Sequence, residues 1–325
     1  MTRRLLALAL VALSRVLLPS AAHAAVPSVS AGHDAWVAVS VARLWESPSS
    51  PRTVDRPALE RPVRVRAWLR DMSLAQRKAL FSRSDTEALL GERVRVTRVR
   101  GSWAHVVVPD QPSPKDARGY PGWVPMRQLT ARTPLASTQV ATVVRRTAWL
   151  RTDDAAAAKV LEASFGTRLK VVSVLDGWVR VRTPLGATRR VSDTAVSVHA
   201  PGATALPRTR ADLVTTAQSF HGLPYLWGGL SGFGLDCSGL TWLDFRAHGQ
   251  TIRRDALPQS QHGTAVRRTT LRKGDLIFYA TAGKVHHVTM YAGAGRMVEA
   301  PHTGAVVRTV PVRDHEYFRA RRYLG

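Results

Sequence analysis

At 325 residues the chain has room for two or three domains of ordinary size, and with 45% hydrophobic residues it can bury a core, which excludes wholesale disorder. Its formal net charge of +24, nearly all arginine and spread along the chain, suits an anionic surface; no helix-turn-helix, zinc-finger or aromatic RNA-binding pattern accompanies it, so nucleic acid is not expected as a partner. The only cysteine is Cys237, so no intramolecular disulfide can form.

At the N-terminus, Arg3 and Arg4 precede an apolar run from Leu5 to Leu18, and Ala22-His23-Ala24 offers small residues for cleavage. That layout predicts a secretory signal peptide over 1–24 and an exported protein, in the periplasm, cell wall or extracellular space. From 34 to 131, short β-like runs alternate with turn signals. Arg93-Val94-Arg95-Val96-Thr97-Arg98-Val99 keeps the two-residue strand period, and Ser73 is placed to cap a helix reaching Ser82. A shorter version of the pattern occupies 139–199. Arg100-Gly101-Ser102-Trp103 and Leu175-Asp176-Gly177-Trp178 follow equivalent strands, which predicts an internal repeat of a small barrel module with its tryptophans as core fillers. Ala200 to Pro207 reads as a linker. Beyond it, over 208–325, helical patterns come first (Arg210 to His221, then a helix starting near Cys237) and strand patterns afterwards, which indicates an α+β unit.

Chemistry centres on Asp236-Cys237-Ser238-Gly239-Leu240. A cysteine at a helix start faces free backbone N–H groups and the positive end of the helix dipole, which favour a thiolate and can hold an oxyanion. His287, in an apolar strand, is the candidate base. Glu299, on the next strand after a Gly293–Gly295 turn, is the candidate for orienting the imidazole, with His302 as the alternative if the strand pairing is shifted. The Gly-rich loop from Gly228 to Gly234 lacks the Lys-Ser/Thr ending of a phosphate-binding loop, and no further Cys/His cluster has zinc-type spacing.

Four stretches carry a family resemblance by their order and spacing: Gly222-Leu223-Pro224-Tyr225-Leu226-Trp227-Gly228-Gly229, Asp236 to Leu240, Leu271-Arg272-Lys273-Gly274-Asp275-Leu276-Ile277-Phe278, and His287-Val288-Thr289-Met290-Tyr291-Ala292-Gly293. Residues 210–325 resemble the NlpC/p60 cell-wall cysteine peptidases, which implies a papain-like α+β catalytic domain with Cys237 as nucleophile and His287 as base. The family's third position is often histidine and falls at Glu299 here. The preceding regions are similar to bacterial SH3-like modules. Leu44-Trp45-Glu46-Ser47-Pro48, Asp71-Met72-Ser73, Ala88-Leu89-Leu90-Gly91 and Gly119-Tyr120-Pro121-Gly122-Trp123-Val124-Pro125 resemble the subgroup of γ-D-glutamyl-L-diamino acid endopeptidases. The resemblance implies a multidomain protein: two small SH3-like β-barrels, then the catalytic domain. It further implies cleavage of the γ-D-glutamyl–diamino acid bond in peptidoglycan stem peptides or muropeptides bearing a free N-terminal L-alanine; the alternatives are a hydrolase of intact peptidoglycan and a non-catalytic cell-wall-binding protein. Asp85 (with Glu87 nearby) and Tyr120 of the first module, and Tyr225, Asp236 and Ser238 of the catalytic domain, are the substrate-binding positions it implies. No metal or organic cofactor is implied. Anionic cell-wall polymers are expected to retain the protein, which is expected to act as a monomer.

Overall fold

Alternating apolar and basic residues become strand with the faces the pattern requires: Val94 and Val96 are buried, Arg93 and Arg95 exposed. The computed structural model describes residues 28–325, so the signal peptide expected over 1–24 lies outside the described residues. Strands β1 (Asp34–Val37), β2 (Val41–Trp45), β3 (Ser84–Leu89), β4 (Arg93–Arg100), β5 (Trp103–Val108), β6 (Tyr120–Pro125) and β7 (Leu129–Thr130) form one sheet in the order β3-β2-β6-β5-β4-β1-β7. A second sheet contains β8 (Val140–Val143), β9 (Thr147–Arg151), β10 (Lys159–Ser164), β11 (Arg168–Leu175), β12 (Trp178–Arg182), β13 (Thr188–Ser192) and β14 (Val196–His199). Its order is β10-β9-β13-β12-β11-β8-β14, the first order shifted by seven. The internal repeat therefore holds at the level of topology.

The copies differ between their second and third strands. In the first, α1 (Arg56–Leu59), α2 (Val65–Asp71) and α3 (Leu74–Lys78) are inserted there. Ser73 Oγ accepts from the Gln76 N–H at 3.2 Å and the Gln76 side chain accepts from the Ser73 N–H at 2.8 Å, a reciprocal cap that fixes where α3 starts.

The tryptophans of the repeat do not fill the cores. Trp103, Trp123 and Trp178 are half-buried and Trp149 is exposed, while Ala104, Val106, Val179 and Val181 next to them are fully buried. The period of two puts each tryptophan on the outer face once its neighbour points inward. Arginine covers two of those rings, Arg98 over Trp123 and Arg190 over Trp178, at 5.5 and 4.8 Å from the centroids.

The C-terminal unit has α4 (Arg210–Ser219), a short ribbon of β15 (Leu230–Ser231) and β16 (Gly234–Leu235), α5 (Cys237–Ala247) and α6 (Ala256–Gln261). An antiparallel sheet follows, ordered β17-β22-β18-β19-β20-β21, from β17 (Thr264–Val266), β18 (Leu276–Thr281), β19 (Lys284–Gly293), β20 (Arg296–Glu299), β21 (Arg308–Pro311) and β22 (Tyr317–Arg322). Every residue of α5 is buried, so this helix is the centre of the unit.

One apolar cluster joins the β-rich part to the C-terminal unit: Trp45, Trp68 and Leu80 of the first copy and Phe165 of the second pack with Leu223, Phe233, Trp242 and Phe245. Phe165 meets Phe220 edge to face at 5.1 Å, and burying each ring stabilises the junction by roughly 1.5–3 kcal/mol. Gly228 has φ +68°, and a Cβ there would lie 2.9 Å from the Asp85 backbone. The first copy thus rests directly on the loop that leads to α5.

Candidate active site

Asp236 caps α5 by accepting from the Gly239 N–H at 2.6 Å, which sets Cys237 as the first helical residue. Gly239 is required by space: a Cβ would fall 2.1 Å from the Gly229 carbonyl oxygen. The backbone N–H groups of Val288 and Ser238 point at the Cys237 sulfur. Val288, the residue after His287, packs in the same apolar cluster as Cys237, so the thiol lies against β19. Burial, and secondarily the Asp236 carboxylate, push the thiol up to about 12. Burial thus works against the thiolate that the helix start favours, and outweighs the few N–H groups that support it.

His287 pairs with Tyr279 across β18 and β19, on the face that also carries Ile277 and Met297. Its Nε2 is 3.0 Å from Glu299 Oε2, and a carboxylate makes that nitrogen the donor. Nδ1 is then the ring nitrogen able to take a proton. Burial lowers the imidazole below its usual value, against the opposing pull of Glu299. Glu299 is fully buried. Burial by itself would raise its carboxyl, but the hydrogen bonds from His287 and Arg313 hold it at about 2. Arg308 Nε lies 3.0 Å from Oε1 and Arg313 Nη1 lies 2.9 Å from Oε2. His302, the alternative orienting group, is exposed and engages only the Thr303 carbonyl, at 3.1 Å.

A cavity of about 440 Å³ opens beside the thiol, lined by Cys237, Tyr225, Asp236, Ser238, Asp255, Asp85 and Tyr120 among others. Every substrate-binding position expected from the sequence thus faces one space. Four are already engaged. Arg254, itself fully buried, spans both Asp236 oxygens at 3.1 and 2.9 Å and donates to Ser238 Oγ at 3.0 Å. It also reaches Thr86 of β3 at 2.9 Å, which ties the first copy to the start of α5. Asp85 lies at the cavity wall with Lys115 Nζ at 2.6 Å, whereas Glu87 is buried beneath it, paired with Arg43 at 3.2 Å and accepting from the Leu230 N–H at 2.9 Å. Glu87 is a structural group, and Asp85 is the one the cavity offers. Tyr120 donates its hydroxyl to Asp255 Oδ1 at 3.3 Å.

Arg254, Asp255, Lys115, Arg308 and Arg313 are absent from the sequence-level reading. The first three lie outside regular strands and helices, without a period to mark them, and the arginines are lost among the chain's many others.

The NlpC/P60 family matches residues 222–323, and a domain described as the YKFC SH3b2 domain matches residues 143–199. A γ-D-glutamyl-L-lysine dipeptidyl-peptidase of Bacillus cereus is 40% identical over 305 residues, covering 89% of this chain and 91% of that protein. The Bacillus subtilis protein of the same description is 37% identical over 282 residues, covering 85% and 93%. A crystal structure of an NlpC/P60 family protein from B. cereus superposes with a TM-score of 0.85 at 38% identity, covering 90% of this chain and all of that one.

Proposed function

Since this chain belongs to the NlpC/P60 family of cysteine peptidases, we propose that it hydrolyses the γ-D-glutamyl–diamino acid bond of peptidoglycan stem peptides carrying a free N-terminal L-alanine. The observation that carries this is a single cavity lined by Cys237, by the carboxylates of Asp85 and Asp255, and by Tyr120, whose hydroxyl donates to Asp255. A peptide whose scissile carbonyl sits at the sulfur would present its terminal ammonium to those groups. A buried ammonium–carboxylate pair favours such a terminus strongly over an acylated one. The similarity to the two Bacillus dipeptidyl-peptidases supports the same bond.

In this mechanism His287 Nδ1 takes the Cys237 proton as sulfur attacks the γ-carbonyl carbon. The oxyanion that forms is held by backbone N–H groups at the start of α5. The imidazolium then returns the proton to the leaving amine, and a thioester remains. Water, deprotonated by the same nitrogen, attacks the thioester carbonyl; the C–S bond breaks, the imidazolium returns its proton to the departing sulfur, and the glutamyl carboxylate is released. Glu299 keeps Nε2 protonated and stabilises the imidazolium in both steps.

In the same reading the two β-rich copies are SH3-like barrels over 34–131 and 139–199, the first closing the groove of a catalytic domain over 208–325. The protein is exported and acts as a monomer, retained near anionic wall polymers by its charge.

The test is mass spectrometry of digests of L-Ala-γ-D-Glu-diamino acid peptides, N-terminally free or acetylated, by wild type and Cys237→Ala. The free peptide should yield L-Ala-γ-D-Glu with wild type alone. Equal rates on free and acetylated peptides would reject the ammonium pocket, and an active Cys237→Ala would reject the mechanism.

A further inference from the structure

An ammonium group already stands in the substrate cavity. Lys115 lies in the segment after β5, its backbone N–H held by Ser113 Oγ at 3.2 Å. Its Nζ is 2.6 Å from Asp85 Oδ2 and 5.0 Å from the centroid of the Tyr120 ring. Lys115, Asp85 and Tyr120 all line the cavity that contains Cys237. A carboxylate below a cation and an aromatic face beside it are the surroundings a peptide's terminal ammonium needs. Here the chain's own lysine has them.

The charges around the cavity give this placement a consequence. Asp236 is neutralised by Arg254, and Glu87, beneath the wall, by Arg43. Asp85 is then set against Lys115, while Asp255, whose carboxyl burial raises, faces both Arg254 and Lys115. Without the lysine the cavity would be one charge more negative, and Asp85 would lose its partner. Lys115 is 44% exposed in its side chain, and its four-carbon stem can swing the ammonium into water.

We propose that Lys115 is an internal stand-in for the substrate's terminal ammonium, which an entering peptide must displace from Asp85. This rests on the free-alanine reading above. Binding then exchanges one ion pair for another instead of creating a new one, so Lys115 sets an upper limit on affinity. The limit applies equally to substrate and to the L-Ala-γ-D-Glu product, which carries the same ammonium, and so it speeds release of that product.

The test compares wild type with Lys115→Met, close in shape but uncharged, and Lys115→Arg, which keeps the charge. Steady-state kinetics are measured on free and N-acetylated L-Ala-γ-D-Glu-L-Lys, with L-Ala-γ-D-Glu as inhibitor, at two ionic strengths. For Lys115→Met, KM on the free peptide and Ki of the dipeptide are expected to fall together, by about three- to tenfold at low salt. Both should become more salt-sensitive, because the bare cavity is more negative. The acetylated peptide should gain nothing, and Lys115→Arg should stay near wild type. A KM that is unchanged or higher in Lys115→Met, or an equal gain on the acetylated peptide, overturns the stand-in while leaving the free-alanine reading intact. A wild type that does not discriminate between the two peptides overturns both.

Discussion

Replacing Glu299 with glutamine tests the site at the group whose surroundings are best defined. The substitution keeps the shape and removes one charge, 3.0 Å from His287 Nε2. At an effective dielectric constant of about 20, unit charges at that separation attract by roughly 5 kcal/mol. A glutamine retains a hydrogen bond, so part of that stabilisation survives, but its amide can also donate to Nε2 and move the ring proton to Nδ1, the wrong tautomer. Arg308 and Arg313, no longer neutralised, would then oppose the imidazolium as well. A loss of about 3–5 kcal/mol in transition-state stabilisation follows, or roughly 10²–10⁴ in kcat/KM. The pH profile carries the diagnostic sign. In the proposed mechanism activity needs a neutral His287 to accept the thiol proton, so the acid limb reports its protonation. Burial already holds that limb below the ordinary histidine range, and losing Glu299 lowers it further while the plateau drops. The assay is kcat/KM on the free tripeptide from pH 4 to 9. A plateau within tenfold of wild type, or an acid limb that moves to higher pH, would refute the assignment of Glu299.

Three further outcomes follow from the same geometry. Arg254→Leu strips the fully buried partner from Asp236 and should cost about 3–5 kcal/mol in denaturant unfolding, since it leaves a buried carboxylate uncompensated; a cost under 1 kcal/mol would mean that Asp236 is hydrated or neutral. Tyr120→Phe removes the hydroxyl that donates to Asp255 and should raise KM for the free peptide about tenfold with kcat within twofold, whereas a matching rise on the acetylated peptide would place the tyrosine outside ammonium recognition. Glu299, held at about 2 against an ordinary 4.5, contributes roughly 3 kcal/mol of stability that is complete above about pH 5 and lost as pH falls through 2; the stability gap between wild type and Glu299→Gln should therefore narrow from pH 7 to pH 3, and a constant gap would contradict the depressed value.

The residues that could be read from the sequence owe their position to local rules. Cys237 follows a capping aspartate, and Glu299 follows His287 across one tight turn on neighbouring strands, so chain proximity and the two-residue period are enough to bring acid and base together. Strand parity also marks where it stops helping. Asp85 and Glu87 lie two apart on β3 and share a face, so alternation cannot say which reaches the cavity; the docked 228–231 loop decides, by covering Glu87 and leaving Asp85 at the wall. Lys115 and Arg254 come from irregular segments and are placed only when two modules meet. Arg308 and Arg313 hold the key carboxylate, yet among 47 Lys and Arg no single arginine stands out. The tryptophans misled for a related reason: size suggested core, whereas the neighbouring valines had already taken the inward positions.

The lone thiol connects these points. A helix start argues for a lowered thiol, and burial with Asp236 alongside argues for a raised one; the second prevails, at about 12. In the proposed mechanism, nucleophile and base therefore start as neutral thiol and neutral imidazole, and the charged pair forms only as the reaction proceeds. A neutral, 7% exposed thiol is a poor target for oxidants and disulfide exchange, both of which require accessible thiolate. The same arrangement assigns the electrostatic work to Glu299. With sulfur unwilling to ionise and imidazole unwilling to protonate, a carboxylate fixed in its charged form by two arginines is the group that makes proton transfer affordable. That dependence is why a single neutralised oxygen at Glu299 should cost orders of magnitude in rate while Cys237 stays in place.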